Sequence, residues 1–420
     1  MTDIGWIEHA LTSARPQALG ALLRYFRDLD TAEEAFQEAC LRALRTWPEK
    51  GPPRNPVAWL IFVGRNSGID VVRRRSKTQP LPEEEAFSDT GDAEADMADR
   101  LDGSNYRDDI LRLLFICCHP DLPATQQIAL ALRIVSGLTV PQIARAFLVG
   151  ESAMEQRITR AKARVAAAGI GFETPGAVER AERLTRVGAM LYLVFNEGYS
   201  CETSGRDGSA FADEAIRLAR LLLRIFPGEP ESMGLLALML LQHARKAARF
   251  DAAGQIVLLE DQDRSRWNRE MINEALALLD KAIRHRRPGP YQIQAAVAAL
   301  HARAATAEDT DWRQIELLYL RLEEMQPSPV VTLNRAVAVS KVEGAEEALA
   351  LVETLAGRLD NYFYFHGLRG GLLMRVGRGA EAREAFGRAI ALANSPAEAA
   401  HIRLQLDRLR QEALEPETHP

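Results

Sequence analysis

The sequence predicts an all-α protein. Ala, Leu and Arg are abundant and aromatic residues make up only 6% of 420 residues, a bias that favours packed helices over sheets. Apolar residues recur at three- and four-residue spacing through most of the chain, and the breaks between such stretches are short. A hydrophobic share of 47% with 26% charged residues is that of an ordinary globular chain, and the length allows two to four domains.

The net charge of −6 excludes a general affinity for nucleic acid, so any such contact must come from local patches. The opening MTDIGWIEHALTSARP has no basic run followed by an apolar core, so no secretory signal is expected. No apolar stretch reaches about 18 residues, so no membrane span is expected. Cys40, Cys117, Cys118 and Cys201 are too few and too irregularly spaced for a disulfide framework, and a reducing cytoplasm fits them. The string Cys117-Cys118-His119 invites a metal reading. Adjacent cysteines chelate poorly and no CxxC pair accompanies them, so an apolar helix LLFICC ended by His119-Pro120 is the simpler account. Neither a metal nor a cofactor is expected.

Residues 5–77 read as helices. Ala32, Phe36, Ala39, Cys40 and Ala43 form one helical stripe, with Glu33, Glu34, Gln37 and Glu38 assigned to other faces. Trp47–Pro56, with four prolines, must be a loop. The next helix starts near Val57 and buries Val57, Leu60, Ile61, Gly64, Gly68 and Val71. Two helical glycines each cost roughly 1 kcal/mol relative to alanine, which close helix packing offsets. Residues 78–109 change character: from Glu83 to Asp109 the net charge is −9, and a flexible acidic linker is expected.

Residues 110–170 are helical again, as Gln126–Val135, Thr139–Phe147 and Ser152–Val165 joined by short turns. Thr139 and Ser152 are natural N-caps, and Ser152 with Glu155 makes a capping box. Met154, Ile158, Ala161 and Val165 supply a core face to the last of these helices, leaving Gln156, Arg157, Thr159, Arg160 and Lys162 mostly elsewhere. Together they form a helix-turn-helix pattern whose basic face, Gln156, Arg157 and Arg160 foremost, suits a major groove and its phosphates. Earlier in the chain, residues 65–77 carry Arg65, Arg73, Arg74, Arg75 and Lys77 against one acid, Asp70, for a net +4. Phosphate is the natural partner of that patch. Trp59 and Asn66 add a ring and an amide of the kind that hold single strands, while a solvated helix end with a core tryptophan explains the same residues.

DLDTAEEAFQEACLRAL followed by NPVAWLIFVGRNSGIDVVRRR resembles region 2 of a bacterial sigma factor of the extracytoplasmic-function class, in the sigma-70 family. VSGLTVPQIARAFLVGESAMEQRITRAKARV resembles region 4 of the same class, and the two occur in the right order around a linker. The resemblance implies a non-enzymatic initiation factor. Its partners would be core RNA polymerase, through the β′ clamp and β flap, and promoter DNA at the −10 and −35 elements. Glu34, Gln37 and Glu38 would lie on the helix that docks on the β′ clamp. The loop of residues 51–56, with Arg54 and Asn55, would capture a flipped base of the −10 element, at an unstacking cost that a snug polar pocket offsets. Trp59, Arg65, Asn66 and Arg73, with Arg74 and Arg75, would hold the opened strand. Ser152, Gln156, Arg157, Arg160 and Lys162 would lie on the helix that reads the −35 element. Two departures stand out: Glu33-Glu34 where an acidic pair ending in Asp is usual, and Gly64 where alanine is common.

About 250 residues follow. They divide into a helical extension, 178–325, and tetratricopeptide-like repeats, 326–412, together an α-solenoid. Helices are expected at Asp213–Phe226, Glu231–Ala247, Arg269–His285 and Pro290–Thr306. GAEEALALVETLAG, from Gly344, recurs as GAEAREAFGRAIALA, from Gly379, an offset of about 34 residues. YLVFNEGYS, RKAARFDAAGQIVLLEDQDRSRWNRE and LNRAVAVS resemble the helical extension of one subgroup of these sigma factors, in which it stands in for a separate anti-sigma regulator and is needed for activity. The residues themselves leave its role open. Glu260, Asp261, Gln262, Asp263, Arg264 and Arg266 make the densest polar cluster, beside Trp267, with Asn196 and Glu197 in a similar polar turn. A salt-bridged turn between helices, a groove for a peptide or small-molecule ligand, and acid/base chemistry all use such residues. No nucleophile, metal-spaced histidines or phosphate loop accompanies them, and Glu197–Ser209 lacks the Walker lysine spacing and reads as a loop. A one-component sensor, whose ligand-binding groove controls DNA binding, is therefore the alternative to a supporting extension.

Overall fold

The computed structural model describes residues 5–75, 104–119, 121–147, 149–167, 177–203, 209–393 and 395–414. Among these residues the regular structure is helical, apart from one antiparallel bridge between Phe250 and Ile256. The chain divides into two compact units, Met1–Leu193 and Val194–Pro420. No helix among the described residues is long and apolar enough to cross a membrane.

The first unit begins with α1 (Gly5–Phe26), α2 (Leu29–Lys50) and α3 (Pro56–Arg75). Asp28 starts α2 by accepting a hydrogen bond from the Thr31 backbone N–H at 2.7 Å. The stripe Ala32, Phe36, Ala39, Ala43 and Trp47 is buried where α2 packs on α1 and α3, which bury Leu19, Leu22, Leu23 and Leu60 in turn. Gly64 favours close packing: a Cβ there would stand 3.1 Å from the Ala35 carbonyl oxygen, so a larger residue would have to push α3 and α2 apart by a few tenths of an ångström. Leu60, Ile61, Gly64 and Gly68 are buried as the spacing predicts, and Val57 is half-buried; the Val71 side chain lies outside the described residues.

The loop expected at Trp47–Pro56 is shorter, because α2 continues to Lys50 with Pro48 inside it. A proline in the last turn forfeits a single backbone hydrogen bond. Trp47 holds that turn down, buried and stacked 6.1 Å from Trp6, with Trp59 edge-on at 5.3 Å. Gly51, at φ 77°, ends the helix by donating its N–H to the Trp47 carbonyl.

The acidic linker lies largely outside the described residues, but its expected end at 109 is corrected: α4 (Ser104–Cys117) starts earlier. Asp109 is buried, its backbone oxygen 2.9 Å from where a Cβ on Gly20 would sit, and it pairs with Arg24 and Arg112 at 3.4 and 3.2 Å. The packed helix is therefore entered before the acidic run ends. Cys117 and Cys118 are buried and burial pushes both thiols up, Cys118 to about 12, so they serve as small apolar residues. Then come α5 (Ala124–Ile134), α6 (Val140–Ala146) and α7 (Glu151–Ala167). Thr139 and Gln142 cap α6 reciprocally, the Thr139 N–H donating to Gln142 Oε1 at 2.8 Å. The capping box proposed at Ser152 is corrected: α7 starts one residue earlier, with the Gly150 carbonyl accepting from Met154 N–H, and Ser152 lies within its exposed first turn.

A long helix, α8 (Ala177–Thr203), spans the boundary between units. It corrects the loop expected at Glu197–Ser209, since residues through Thr203 are helical; extending an established helix through one glycine costs only about 1 kcal/mol.

In the second unit, α9 (Ser209–Ile225) and α10 (Pro230–His243) lead into three 3₁₀ turns, then α11 (Arg269–Arg284) and α12 (Pro290–Arg303). α10 is buried on nearly all sides, between α11 and α12. After α13 (Trp312–Met325) come the hairpins α14 (Pro329–Val342) with α15 (Ala345–Glu353), and α16 (Phe363–Arg375) with α17 (Gly379–Leu392), closed by α18 (Pro396–Leu414). Both hairpins start 34 residues apart, at 329 and 363 and at 345 and 379. Ala336, Ala348 and Val352 of the first correspond to Gly370, Ala382 and Phe386 of the second, all buried. A Cβ on Gly370 would stand 2.6 Å from the Phe386 ring, so the larger ring is matched by the missing side chain.

His301, on α12, is largely buried beside Trp312, and burial, with Arg245 and Arg264 adding to it, lowers its pKa to about 4. The unfolded chain binds a proton near pH 6.5 that the folded chain refuses, so His301 erodes stability as pH falls from 6.5 to about 4. The full effect is roughly 3 kcal/mol. Thermal melts at pH 7 and pH 4.5 should converge for His301→Gln relative to wild type; an unchanged pH dependence would remove this assignment.

Candidate nucleic-acid interface

The helix-turn-helix is ordered by the face of α7 that the spacing predicts. Met154, Ile158, Ala161 and Val165 are all buried. Opposite them Ser152, Gln156 and Arg160 are exposed and Arg157 is half-buried. That places an amide and guanidinium groups on an open helical surface, the donor set that reads base edges and phosphates.

Lys162 is engaged elsewhere. Its ammonium donates to Asp30 Oδ1 and Glu33 Oε2, both at 2.8 Å, at the start of α2. Burial opposes the charge, but the two hydrogen bonds outweigh it and Lys162 titrates above its ordinary value. Glu33, assigned by spacing to a face other than the apolar stripe, is 4% exposed. Its second oxygen stands 3.6 Å from Arg15 of α1 and 3.5 Å from Arg133 of α5. Arg15 in turn donates from Nε to the Ile134 carbonyl at 2.9 Å and from Nη2 to the Arg133 carbonyl at 3.2 Å, capping the C-terminus of α5. One carboxylate thus gathers cations from α1, α5 and α7. Two of these partners, Arg133 and Lys162, lie about 100 residues or more away in sequence and cannot be found by local spacing. The available signal was that Glu33 precedes Phe36 and Cys40 by three and seven residues, and so borders the buried stripe.

In the earlier helices the candidate residues divide. Arg54 and Asn66 are exposed. Asn55 spends its side-chain oxygen on the Ala58 N–H at 3.1 Å, starting α3, so its cap role competes with the proposed base contact. Trp59 is half-buried against Trp47, and Arg65 lies 4.3 Å above the Tyr25 ring. Arg73, Arg74 and Arg75 lie in the last turn of α3, their side chains outside the described residues. On α2, Glu34 and Gln37 are exposed and Glu38 half-buried, near the exposed apolar side chains of Leu41 and Leu44.

The polar cluster of the second unit resolves into structural roles. Asp263 Oδ1 accepts from the Ser265 N–H at 2.9 Å and hydroxyl at 2.6 Å, which holds its carboxyl below the usual range. Glu260 pairs with Lys341 Nζ at 2.7 Å. Arg264 Nη1 donates to the His301 and Ala304 carbonyls, both at 2.7 Å, and the guanidinium lies over Trp267. This is the salt-bridged turn among the alternatives. Among the described residues no three His, Cys, Asp or Glu are placed to hold a metal ion.

Residues 11–78 match the Sigma-70 region 2 model and residues 112–165 the Sigma-70 region 4 model. Residues 183–283 match a family of unknown function, DUF6596. A protein of Rhizobium meliloti (strain 1021), described as uncharacterized, is 72% identical over 419 residues, covering 100% of this chain and 98% of the relative. With region 2 bundled on α1–α3, region 4 ending in the exposed face of α7, and a helical extension behind them, the chain belongs to the sigma-70 family, as an extracytoplasmic-function-like sigma factor with a C-terminal extension.

Proposed function

We propose that this sigma factor carries the −35 reading surface on Gln156, Arg157 and Arg160 of α7, and that the free chain keeps the edge of that helix docked on region 2. The observation behind this is the division of α7 into a buried face, an open polar face, and one lysine held by Asp30 and Glu33. Glu34, Gln37 and Glu38 supply the surface for the polymerase β′ clamp. Arg54, Trp59, Arg65, Asn66 and the arginines at the end of α3 take the −10 strand. The extension supports this activity. Its polar cluster is consumed by turns and helix ends, which favours scaffolding over a ligand groove. Gln156→Ala with Arg160→Ala should abolish promoter-dependent transcription with purified core RNA polymerase while leaving thermal stability unchanged, since both side chains are exposed. Undiminished transcription would remove the −35 assignment.

A further inference from the structure

The last turn of α11 and the turn that follows it carry a cluster of exposed positive charge. Lys281, Arg284, His285, Arg286 and Arg287 are all exposed. Among the described residues no carboxylate lies within ion-pair distance of Lys281, Arg284 or Arg286; Arg287 reaches Glu229 only at 3.9 Å, and the nearby Asp280 is taken by Arg303 at 3.6 Å. In a chain of net charge −6, such a cluster is not explained by composition.

Helix stability explains part of it. Lys281 and Arg284 lie in the last turn of α11, where cations complement the helix dipole. Arg286 and Arg287 lie beyond the helix. Arg286 moreover occupies the left-handed region at φ 53°, in a position where glycine or asparagine relieves the backbone. An arginine kept at a backbone cost, exposed, with no carboxylate beside it, points to a charge needed by something outside the fold.

We infer that this turn is a docking surface for the phosphate backbone of duplex DNA. Four exposed cations gathered at one helix end suit a polyanion, and arginine forks bind phosphate oxygens well. One large apolar side chain, Ile283, is exposed within the turn, which leaves an apolar protein partner little to bury. The contact is independent of sequence and adds affinity to the reading done by α7. It rests on the chain being a promoter-reading factor only in that duplex DNA is the polyanion such a protein meets.

The test uses the full-length chain and a mixed-sequence duplex, followed by fluorescence anisotropy across a salt series. The variant combines Lys281→Gln, Arg284→Gln, Arg286→Gly and Arg287→Gln. Each lost phosphate contact should reduce the slope of log affinity against log salt by about 0.9. The variant should therefore lose about 2–4 from the slope and bind tenfold or more weakly at low salt. Its melting temperature should stay close to that of wild type, because the relief that glycine brings to the backbone at 286 offsets the helix-end charges lost at 281 and 284. An unchanged slope would overturn the proposal and mark the turn as a solvated surface. An unchanged slope with weakened binding to core polymerase would overturn it in favour of a protein partner. Gln156→Ala with Arg160→Ala is assayed in parallel: failure there sinks the −35 reading and leaves the basic-turn slope a separate result.

Discussion

Replacing Glu33 with glutamine should open the first unit and expose α7 to DNA. The substitution keeps the shape and removes the charge that faces Arg15, Arg133 and Lys162. Breaking a buried ion pair by removing one partner costs about 3–5 kcal/mol, because the other charge stays buried. Here the cations have an escape. Lys162 and Arg133 come from helices of region 4, and separating region 4 from region 2 returns both to water. The expected result is loss of a single cooperative melt for residues 1–193, a larger hydrodynamic radius, and stronger binding of the free full-length chain to duplex DNA. Arg133→Gln in the Glu33→Gln background should add little, and this non-additivity is the signature of a shared network. A variant that melts and binds DNA like wild type would show that the hub does not hold the unit closed.

Trp47→Ala should be nearly as damaging, for a different reason. The ring is 2% exposed and sits between Trp6 and Trp59. Truncating a buried aromatic side chain costs about 3–5 kcal/mol in lost burial and residual cavity. The cost falls on the last turn of α2, where Pro48 has already removed a hydrogen bond, and on the seat of Trp59. Urea melts should show the loss directly. Transcription from a promoter that must be melted should fall further than stability alone explains, since Trp59 loses its backing. Trp47→Phe should recover most of the stability. If Trp47→Ala unfolds at the wild-type midpoint, the three-ring cluster is not a keystone of region 2.

The sequence was most legible where one face of one helix is buried. Met154, Ile158, Ala161 and Val165 follow the helical period and all reach the core. Gly64 and Gly68 read correctly as close-packing sites, because a glycine inside a helix needs a steric reason. Local signals failed where tertiary contact overrode them. Pro48 and the Gly-Ser stretch after Glu197 look like breaks, yet helices run into both, held by a buried ring in one case and by propagation from a long helix in the other. Glu33 reads as lying off the buried stripe because its partners are on α1, α5 and α7. The polar run around Asp263 was open to several readings in one dimension, but folding gives Glu260 to Lys341, Asp263 to the Ser265 N–H and Arg264 to two carbonyls. Asn55 showed a similar ambiguity, with one carboxamide suited equally to a base edge and to a helix cap.

The matched hairpins near the C-terminus bear on how such a chain can change over generations. Each hairpin touches mainly its neighbours, so the stack behaves as a row of nearly independent modules. Because equivalent positions recur every 34 residues, a duplication or loss of one whole module preserves the phase of every remaining buried residue. An insertion of a few residues inside one of the helices instead turns the residues beyond it off the buried face. The tail can therefore lengthen or shorten in modular steps while regions 2 and 4 are inherited untouched.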